Sequence, residues 1–200
     1  FNKINLDMKK AIFMHQVHKD NIVKIDEINK NIYSKENPVK ETDALITNLK
    51  NVPLVIQTAD CLPVILYCKE TKSMAAIHCS WRGIVQKIVP KTIELMKKEY
   101  NIDARTIYGY IGAHIFQKDY EVGEEVAIHF RAKRIINGKW HTDNAMESVL
   151  QMIDSGLFEE NIECKSSDKG NRLENLSEIN NVLEQIETEF VILLSPCIKV

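Results

Sequence analysis

The sequence predicts a mixed α+β protein in which strands and helices alternate along a single domain spanning residues 1–200. Its composition is 44% hydrophobic and 27% charged, which is typical of a globular chain and excludes a disordered or fibrous one. Short apolar runs are interleaved with segments whose apolar residues recur at helical spacing. No apolar run approaches the ~20 residues of a membrane helix, so we expect no membrane span.

The first half of the chain is dominated by short apolar runs that predict strands. We expect these strands over residues 11–14, 22–25, 44–47, 52–57, 62–67 and 74–78. Long, nearly unbroken runs such as 62–67 are typical of strands that are buried on both faces. Residues 28–41 are polar and predict a loop.

The second half of the chain contains most of the helical signal. Helical spacing predicts a helix over 83–100, in which Pro90 must mark a kink or a late start. Further helices are expected over 121–134, 142–155 and 176–189, and strands over 107–111 and 190–194. Gly156 follows the helix expected at 142–155 and is typical of a helix C-terminus.

Charge and cysteine content narrow the classes of partner and compartment. The 26 basic and 28 acidic residues give a net charge of -2, so no nucleic-acid surface is predicted. The five cysteines are an odd number at irregular spacing, which indicates reduced thiols in a cytoplasmic protein. The first residues lack the apolar core of a signal peptide. We expect a cytoplasmic monomer.

Three residues, His18, Cys61 and His78, are candidate metal ligands. Each lies near the end of an apolar run, and strand ends are where α/β proteins usually assemble their sites. Two imidazoles and one thiolate suit a tetrahedral zinc site with an open fourth position. The alternative interpretation is that all three are packed core residues, because their spacing fits no local metal motif.

The turn after His78 carries a second candidate site. Ser80, Arg82 and Gly83 precede a predicted helix, and free amides beside a guanidinium and a hydroxyl can bind an anion. The alternative is an N-cap serine followed by a surface arginine. Asp60 suits either an acid/base role, an acceptor for a ligand histidine, or a turn.

The remaining histidines carry weaker signals. His114 follows a predicted strand and either lines the mouth of the site or faces solvent, and we favour solvent. His129 falls within a predicted helix and is interpreted as structural. His141 precedes a predicted helix and is a weak site candidate. His15 and His18 would face opposite sides of an unbent strand, so both cannot be ligands.

Three segments resemble the characteristic motifs of the YfiH-like family, also called the laccase-domain or multicopper polyphenol oxidoreductase family. They are QVH at 16–18, TADCLPV at 58–64 and HCSWRG at 78–83. ETDAL at 41–45 and YEVG at 120–123 are also similar to family segments. The resemblance is strongest over residues 11–156, and residues 164–200 do not match the family's ending.

The resemblance implies layers of helix, sheet, sheet and helix built from tandem β-α-β-β units. It implies a metal, usually zinc, on His18, Cys61 and His78, with copper as the alternative. The implied partners are purine nucleosides and phosphate, and the activities are phosphorolysis of adenosine, inosine, guanosine and methylthioadenosine, with adenosine deamination. Cys61, Arg82 and Asp60 are then expected to be catalytic. The expected substrate-binding residues are Gln16, Ser80, Arg82, Gly83 and His114.

Three other functions remain open at this point. A thiol or metal hydrolase that edits cell-wall precursors would use Cys61 as nucleophile and His78 as base. A copper-dependent phenol oxidase is suggested by the ligand composition, although six histidines are few for several coppers. A non-catalytic metal-binding or interaction protein is the third, because the terminal motifs of the family are not matched in this sequence.

Overall fold

The computed structural model describes residues 8–164 and the backbone of residues 192–196. The helices are α1 (Trp81–Val85), α2 (Ile88–Tyr100), α3 (Glu124–Ala127) and α4 (Asn144–Asp154). The strands are β1 (Ile12–Phe13), β2 (Ile22–Lys24), β3 (Ala44–Thr47), β4 (Leu54–Thr58), β5 (Leu62–Cys68), β6 (Ser73–Cys79), β7 (Ile107–Ile111), β8 (Glu121–Val122), β9 (Lys133–Ile136), β10 (Lys139–Thr142), β11 (Ile162–Cys164) and β12 (Ile192–Pro196). The predicted mixed α+β class is confirmed.

A six-stranded mixed sheet forms the centre of the fold. Its strand order is β11-β7-β5-β6-β3-β2, and the two central strands, β5 and β6, are buried along their whole length. Antiparallel pairing joins β3, β6, β5 and β7. The outer strands are parallel to their neighbours, β2 to β3 and β11 to β7. Smaller sheets contain β1-β4-β12 and β8-β10-β9.

The two faces of the central sheet bury different partners. In β5, Leu62, Val64 and Leu66 belong to the apolar cluster that includes α2 and α4. The alternate residues Ile65 and Tyr67 belong to the cluster that includes β1 and β4. This alternation follows from the two-residue period of a strand. It produces three of the four expected layers, namely helix, sheet and sheet.

The predicted helix at 176–189 lies outside the described residues. The strand expected at 190–194 corresponds to β12 at Ile192–Pro196, which pairs in parallel with β4. The prediction for 11–14 was too long, because β1 is Ile12–Phe13 and Met14 forms only an isolated bridge with Val39. The strand predictions at 44–47 and 107–111 match β3 and β7.

The single helix predicted over 83–100 is wrong, because two helices occupy this stretch. The chain breaks at Lys87, whose φ of 65° is left-handed. Pro90 is the third residue of α2, where a missing backbone N–H costs no helical hydrogen bond. Of the two interpretations of Pro90, the late start of a helix is therefore the correct one.

The helix predicted over 121–134 is also wrong. This stretch contains β8, the short helix α3 and the start of β9, and His129 lies beyond the end of α3. The turn between β9 and β10 is Asn137–Gly138, with φ values of 52° and 77°. Asparagine followed by glycine is the preferred sequence of a tight hairpin turn, and this signal outweighs the helical spacing upstream.

The helix at α4 follows the prediction closely. Asp143 caps its start by accepting the backbone N–H of Met146 at 2.8 Å. Gly156 follows its end with a φ of 100°, a conformation that favours glycine. Among residues 8–164, no helix is long and apolar enough to cross a membrane.

Candidate metal centre

His18, Cys61 and His78 converge at one end of the central sheet. Their potential ligand atoms all lie within 4.8 Å of one another. Within the described part of the chain, no other group of three or more histidine, cysteine or acidic residues is arranged in this way. His78 is buried, Cys61 is half-buried and His18 is exposed, so the group is open to solvent on the His18 side.

Strand pairing brings Cys61 and His78 together. His78 is the next-to-last residue of β6, and it pairs with Pro63 in β5. Cys61 immediately precedes β5, so the antiparallel register places it beside the end of β6. Neighbouring antiparallel strands lie about 5 Å apart, which explains why 17 residues of separation in sequence still place both side chains in one site.

His18 reaches the site through Asp43, which directly precedes β3. The Asp43 carboxylate accepts three consecutive backbone N–H groups, from Val17 at 3.2 Å, His18 at 2.9 Å and Lys19 at 3.0 Å. The same carboxylate lies 2.8 Å from Nδ1 of His78. Asp43 is fully buried, and it was not among the residues singled out from the sequence.

The hydrogen bonds of Asp43 fix its charge. Burial alone would raise the pKa of this carboxyl, but the bonds from His78 and from the three backbone N–H groups outweigh burial and lower it. Asp43 is therefore a carboxylate at neutral pH and can only accept hydrogen bonds. It follows that His78 donates from Nδ1 and keeps the lone pair of Nε2 free for a ligand.

The backbone of His18 adopts a left-handed conformation with a φ of 61°. Its ring meets the His78 ring edge to face, with 4.8 Å between centroids and 88° between planes. Burial and the neighbouring His78 and Arg82 lower the pKa of His18, against the opposing effect of Asp43. A low pKa favours the neutral imidazole, which is the form that binds metals.

The expected arrangement of His15 and His18 on one strand is wrong. The chain leaves β1 at Phe13, so the opposite-face argument does not apply to these residues. His15 nevertheless stays outside the group of three ligands.

The turn at Ser80 begins α1, and Ser80 has the N-cap role that was one of its two interpretations. Ser80 is buried and caps α1, because its hydroxyl accepts the Gly83 N–H at 3.1 Å. Arg82 is exposed and its guanidinium stacks over the Trp81 ring at 4.4 Å. Gly83 packs closely: a Cβ there would lie 3.2 Å from the carbonyl oxygen of Lys19.

The other candidate residues differ in their exposure and in their hydrogen-bond partners. Asp60 is exposed beside Cys61. The side chain of Gln16 is held by the main chain of Gln57 through two hydrogen bonds of 2.8 and 2.9 Å. His114 is half-buried, and its Nδ1 lies 2.7 Å from the carbonyl oxygen of Gly112. Nδ1 of His141 lies 2.9 Å from the carbonyl oxygen of Gln117, and His129 is exposed.

Tyr120 is a second residue near the site that was not singled out. Burial raises its pKa, Cys61 and Asp60 add to this, and Arg82 and a hydrogen bond with Asn144 oppose it. These influences place the phenol within electrostatic reach of the site. The available signal was the YEVG segment at 120–123, which matched the family pattern without pointing to this side chain.

The other cysteines have a different character from Cys61. Cys79 is fully buried, and burial raises its pKa to about 12. Burial also raises the pKa of Cys164, to about 11. Both thiols are therefore protonated at neutral pH and are poor ligands and nucleophiles. Among the half-buried cysteines of the described residues, Cys61 is the one beside histidines.

The fold and this site define a class of mixed α+β proteins with a two-histidine, one-cysteine centre that is open to solvent. The sequence profile of the family described as "Multi-copper polyphenol oxidoreductase laccase" matches residues 1–172. The chain belongs to this family, which confirms the resemblance found in the motifs.

Curated relatives carry two kinds of enzyme name. A purine nucleoside phosphorylase of Aquifex aeolicus is 37% identical over 147 residues, covering 71% of this chain and 64% of the relative. One from Clostridium acetobutylicum is 38% identical, covering 64% of this chain and 51% of the relative. Adenosine deaminase RL5, from an unknown prokaryotic organism, is 27% identical, covering 80% and 65%. The chain thus spans between about half and two thirds of these relatives' length.

Solved structures share the fold. YfiH of Bacillus licheniformis superposes with a TM-score of 0.76 and 22% identity, covering 81% of this chain and 65% of that one. YlmD from Geobacillus stearothermophilus gives a TM-score of 0.73 at 22% identity, with coverages of 78% and 63%.

Proposed function

We propose that this protein is a zinc-dependent enzyme that processes purine nucleosides, by phosphorolysis or by deamination. The convergence of His18, Cys61 and His78 at a solvent-open end of the sheet is the observation that carries this proposal. The nucleoside substrate comes from the relatives, which are named purine nucleoside phosphorylase and adenosine deaminase.

The donor set fits zinc. Two imidazole nitrogens and one thiolate are ligands that zinc prefers, and three protein ligands leave a fourth position open, as in catalytic sites. A zinc ion held by His18, Cys61 and His78 would supply Lewis acidity to a substrate at that position. The exposed side of His18 leaves room for the substrate to approach.

The residues around the ligands supply binding and proton transfer in this proposal. Arg82 is exposed and close enough to His18 to lower its pKa, and its guanidinium suits a phosphate or another anion. Asp60 is an exposed carboxylate that can exchange protons with solvent beside Cys61. Gln16 and Ser80 have a structural role in this proposal. The side chain of Gln16 is hydrogen-bonded to the main chain of Gln57, and that of Ser80 caps the start of α1.

In phosphorolysis, the bond between ribose C1′ and the purine nitrogen breaks, and its electron pair leaves with the base. A phosphate oxygen forms the new bond to C1′, and a proton is delivered to the purine. In deamination, water adds to the purine ring and ammonia leaves. The proposal assigns anion binding to Arg82 and proton transfer to Asp60, and the same site serves both reactions.

A multicopper oxidase is a weaker candidate. Reducing oxygen to water takes four electrons, so such enzymes need several metals and many histidine ligands. The sequence has six histidines, and only two of them join the group of ligands in the described residues. The side chains of His114 and His141 instead contact main-chain carbonyl oxygens.

A thiol hydrolase is the second candidate, and one observation favours it. Asp43, His78 and Cys61 follow the order acid, base and nucleophile that activates cysteine in hydrolases. In this alternative, His78 accepts the proton of Cys61, the thiolate attacks an acyl carbon, and the leaving group departs with that proton. Water then adds to the acyl carbon and releases the acid from the Cys61 sulfur, with no metal required.

The test is an assay of a nucleoside panel with and without phosphate, with products identified by mass. Purified protein is compared with Cys61→Ala and His78→Ala, and with Cys164→Ala and His129→Ala as matched controls. We expect free base with phosphate present, or inosine from adenosine, to be lost in the first pair and retained in the second.

Two outcomes would contradict the proposal. Intact nucleosides together with oxidation of a phenol by the copper-loaded protein would favour the oxidase. Hydrolysis of an acyl substrate that survives chelation but is blocked by alkylation of Cys61 would favour the thiol hydrolase.

A further inference from the structure

We propose that Asp43 is the positioning residue that sets both histidines of the proposed metal centre in their ligand-binding form. The inference rests on the proposed function for the identity of the centre. Asp43 touches no substrate in this proposal; it acts through His78 and through the backbone of His18. Four hydrogen bonds carry the argument, together with the complete burial of the carboxylate.

The first step concerns the four donors around Asp43. Oδ1 accepts from the His18 N–H at 2.9 Å and lies 2.8 Å from His78 Nδ1. Oδ2 accepts from the Val17 and Lys19 N–H groups at 3.2 and 3.0 Å. The three backbone N–H groups can only donate, so both oxygens must accept, and an ionised carboxylate meets that requirement. His78 Nδ1 then donates to Oδ1, because an ionised carboxylate has no proton to give.

The second step concerns the tautomer of His78. Because Nδ1 donates to Asp43, its proton is fixed there, and Nε2 carries the free lone pair. The main chain reinforces this contact, because the carbonyl oxygen of Asp43 accepts the backbone N–H of His78 at 2.7 Å. Both the position and the tautomer of this imidazole therefore depend on one residue.

The third step concerns His18. The backbone at this residue is left-handed, a conformation that is unfavourable for a side chain with a Cβ. Three consecutive N–H groups converging on one carboxylate hold the turn in that shape. The turn sets where the His18 ring stands, 4.8 Å from the His78 ring.

Asparagine is the sharpest replacement, because it keeps the shape of the side chain but has one donor and one acceptor end. If its oxygen faces His18 and His78, its NH2 group faces the N–H groups of Val17 and Lys19, and the turn loses two bonds. If its oxygen faces that pair, its NH2 group faces His78 and favours the Nε2–H tautomer, which cannot bind a metal through Nε2. Either orientation weakens the centre.

The experiment uses the full chain, prepared metal-free, as wild type, Asp43→Asn and Asp26→Asn. Asp26 is the matched control, because its carboxylate also accepts two backbone N–H groups, those of Ile28 and Asn29. Zinc affinity is measured by competition with a chromogenic chelator. Imidazole tautomers are assigned from long-range proton–nitrogen NMR spectra, with a His78→Gln sample to identify the His78 signals.

We expect His78 of the wild type to be the Nδ1–H tautomer. We expect the zinc dissociation constant to rise about 10- to 100-fold in Asp43→Asn and to stay within about 2-fold in Asp26→Asn. A wild-type His78 that is mainly the Nε2–H tautomer overturns the inference. So does a zinc affinity in Asp43→Asn that equals that of the wild type.

The two readouts separate this inference from the proposed function. Nucleoside turnover is not measured in either, so an inactive protein that binds zinc as expected contradicts the enzyme proposal and supports the role of Asp43. If the wild type binds no zinc, or if Asp43→Asn does not fold, the tautomer of His78 in the wild type decides.

Discussion

The carboxylate of Asp43 lies 2.8 Å from Nδ1 of His78, although 35 positions separate the two residues in the sequence. The contact forms because β3 and β6 are antiparallel neighbours, with Ala44 opposite Ile77. Since Asp43 also binds the turn at His18, one buried carboxylate links two of the three candidate ligands. A packed core would bury these groups as well, but it would not leave His18 exposed with one potential ligand atom from each of the three residues within 4.8 Å of the others.

Removing the thiol of Cys61 should remove the metal without unfolding the protein. Cys61 is half-buried at the start of the central strand β5, and the two apolar clusters of the core do not include it. We expect Cys61→Ala to lose bound zinc, as measured by elemental analysis after purification without chelator. The free energy of unfolding should fall by only about 1 kcal/mol. Cys164→Ala, at a cysteine of similar burial, should keep its zinc, and full retention in Cys61→Ala would contradict the ligand assignment.

A side chain at position 83 should disturb both stability and metal binding. A Cβ there would lie 3.2 Å from the Lys19 carbonyl oxygen and 3.3 Å from Ile88 Cγ2. We expect Gly83→Ala to lower the free energy of unfolding by about 1–3 kcal/mol, measured with urea. Because Lys19 belongs to the turn that carries His18, zinc affinity should fall too.

Gly109→Ala is the control for this prediction. A Cβ at that position would meet the flexible side chain of Met152, at 2.7 Å from its sulfur, in the core beneath α4. We expect it to cost stability while zinc affinity stays unchanged. Equal losses of zinc affinity in the two variants would show that general destabilisation, and not the Lys19 contact, weakens the centre.

Thiol reactivity should single out Cys61. Burial raises the pKa of Cys79 to about 12, so this thiol is protonated at neutral and mildly alkaline pH and is a poor nucleophile. With iodoacetamide at pH 8, we expect the folded, metal-free protein to be labelled at Cys61 and not at Cys79, as located by peptide mass mapping. Zinc should protect Cys61. Unfolded protein provides the control in which all cysteines react, and rapid labelling of Cys79 in the folded state would contradict its burial.

Anion binding should depend on Arg82. Its guanidinium is exposed over the Trp81 ring, and it contributes to lowering the pKa of His18. We expect Arg82→Gln to raise the KM for phosphate about 10-fold, which corresponds to the loss of one charged hydrogen bond. Arg105→Gln removes another exposed arginine, one that pairs with Asp103, and should leave that KM unchanged. An unaltered phosphate dependence in Arg82→Gln would remove this residue from the proposed site.

The sequence predicted much of the central sheet because its signals are local. The strands at 44–47 and 107–111 are short apolar runs, and Asp143 and Gly156 delimit α4 through their own backbone preferences. The prediction of a helix at 121–134 is wrong because apolar spacing is ambiguous over short stretches. There the hairpin turn at Asn137–Gly138 determines the local fold.

The site was predictable in its ligands but not in its support. His18, Cys61 and His78 could be found because their motifs resemble a known family. Asp43 lies in a motif of the same resemblance, yet its role depends on the register between β3 and β6, which no local pattern reveals. An acceptor for a ligand histidine was one of three interpretations of Asp60, which adjoins Cys61. Asp60 is exposed, however, and the buried carboxylate that contacts His78 is that of Asp43.

The stability that Asp43 supplies should depend on pH in a defined direction. Burial opposes the charge, but the bonds from His78 and three backbone N–H groups lower the pKa of this carboxyl below the ordinary aspartate value of about 3.9. A group with a lowered folded pKa stabilises the protein fully above its unfolded pKa, and this stabilisation is lost as the pH falls through the lower folded value. We therefore expect metal-free Asp43→Asn to unfold more easily than the wild type by at least about 2 kcal/mol at pH 7. The difference should shrink at about pH 3, as measured by urea unfolding at both values. Asp26→Asn changes a turn at the surface, so its free energy of unfolding at pH 7 should differ less from that of the wild type. If the difference between wild type and Asp43→Asn instead widens as the pH falls, the charge of Asp43 is not what stabilises the fold.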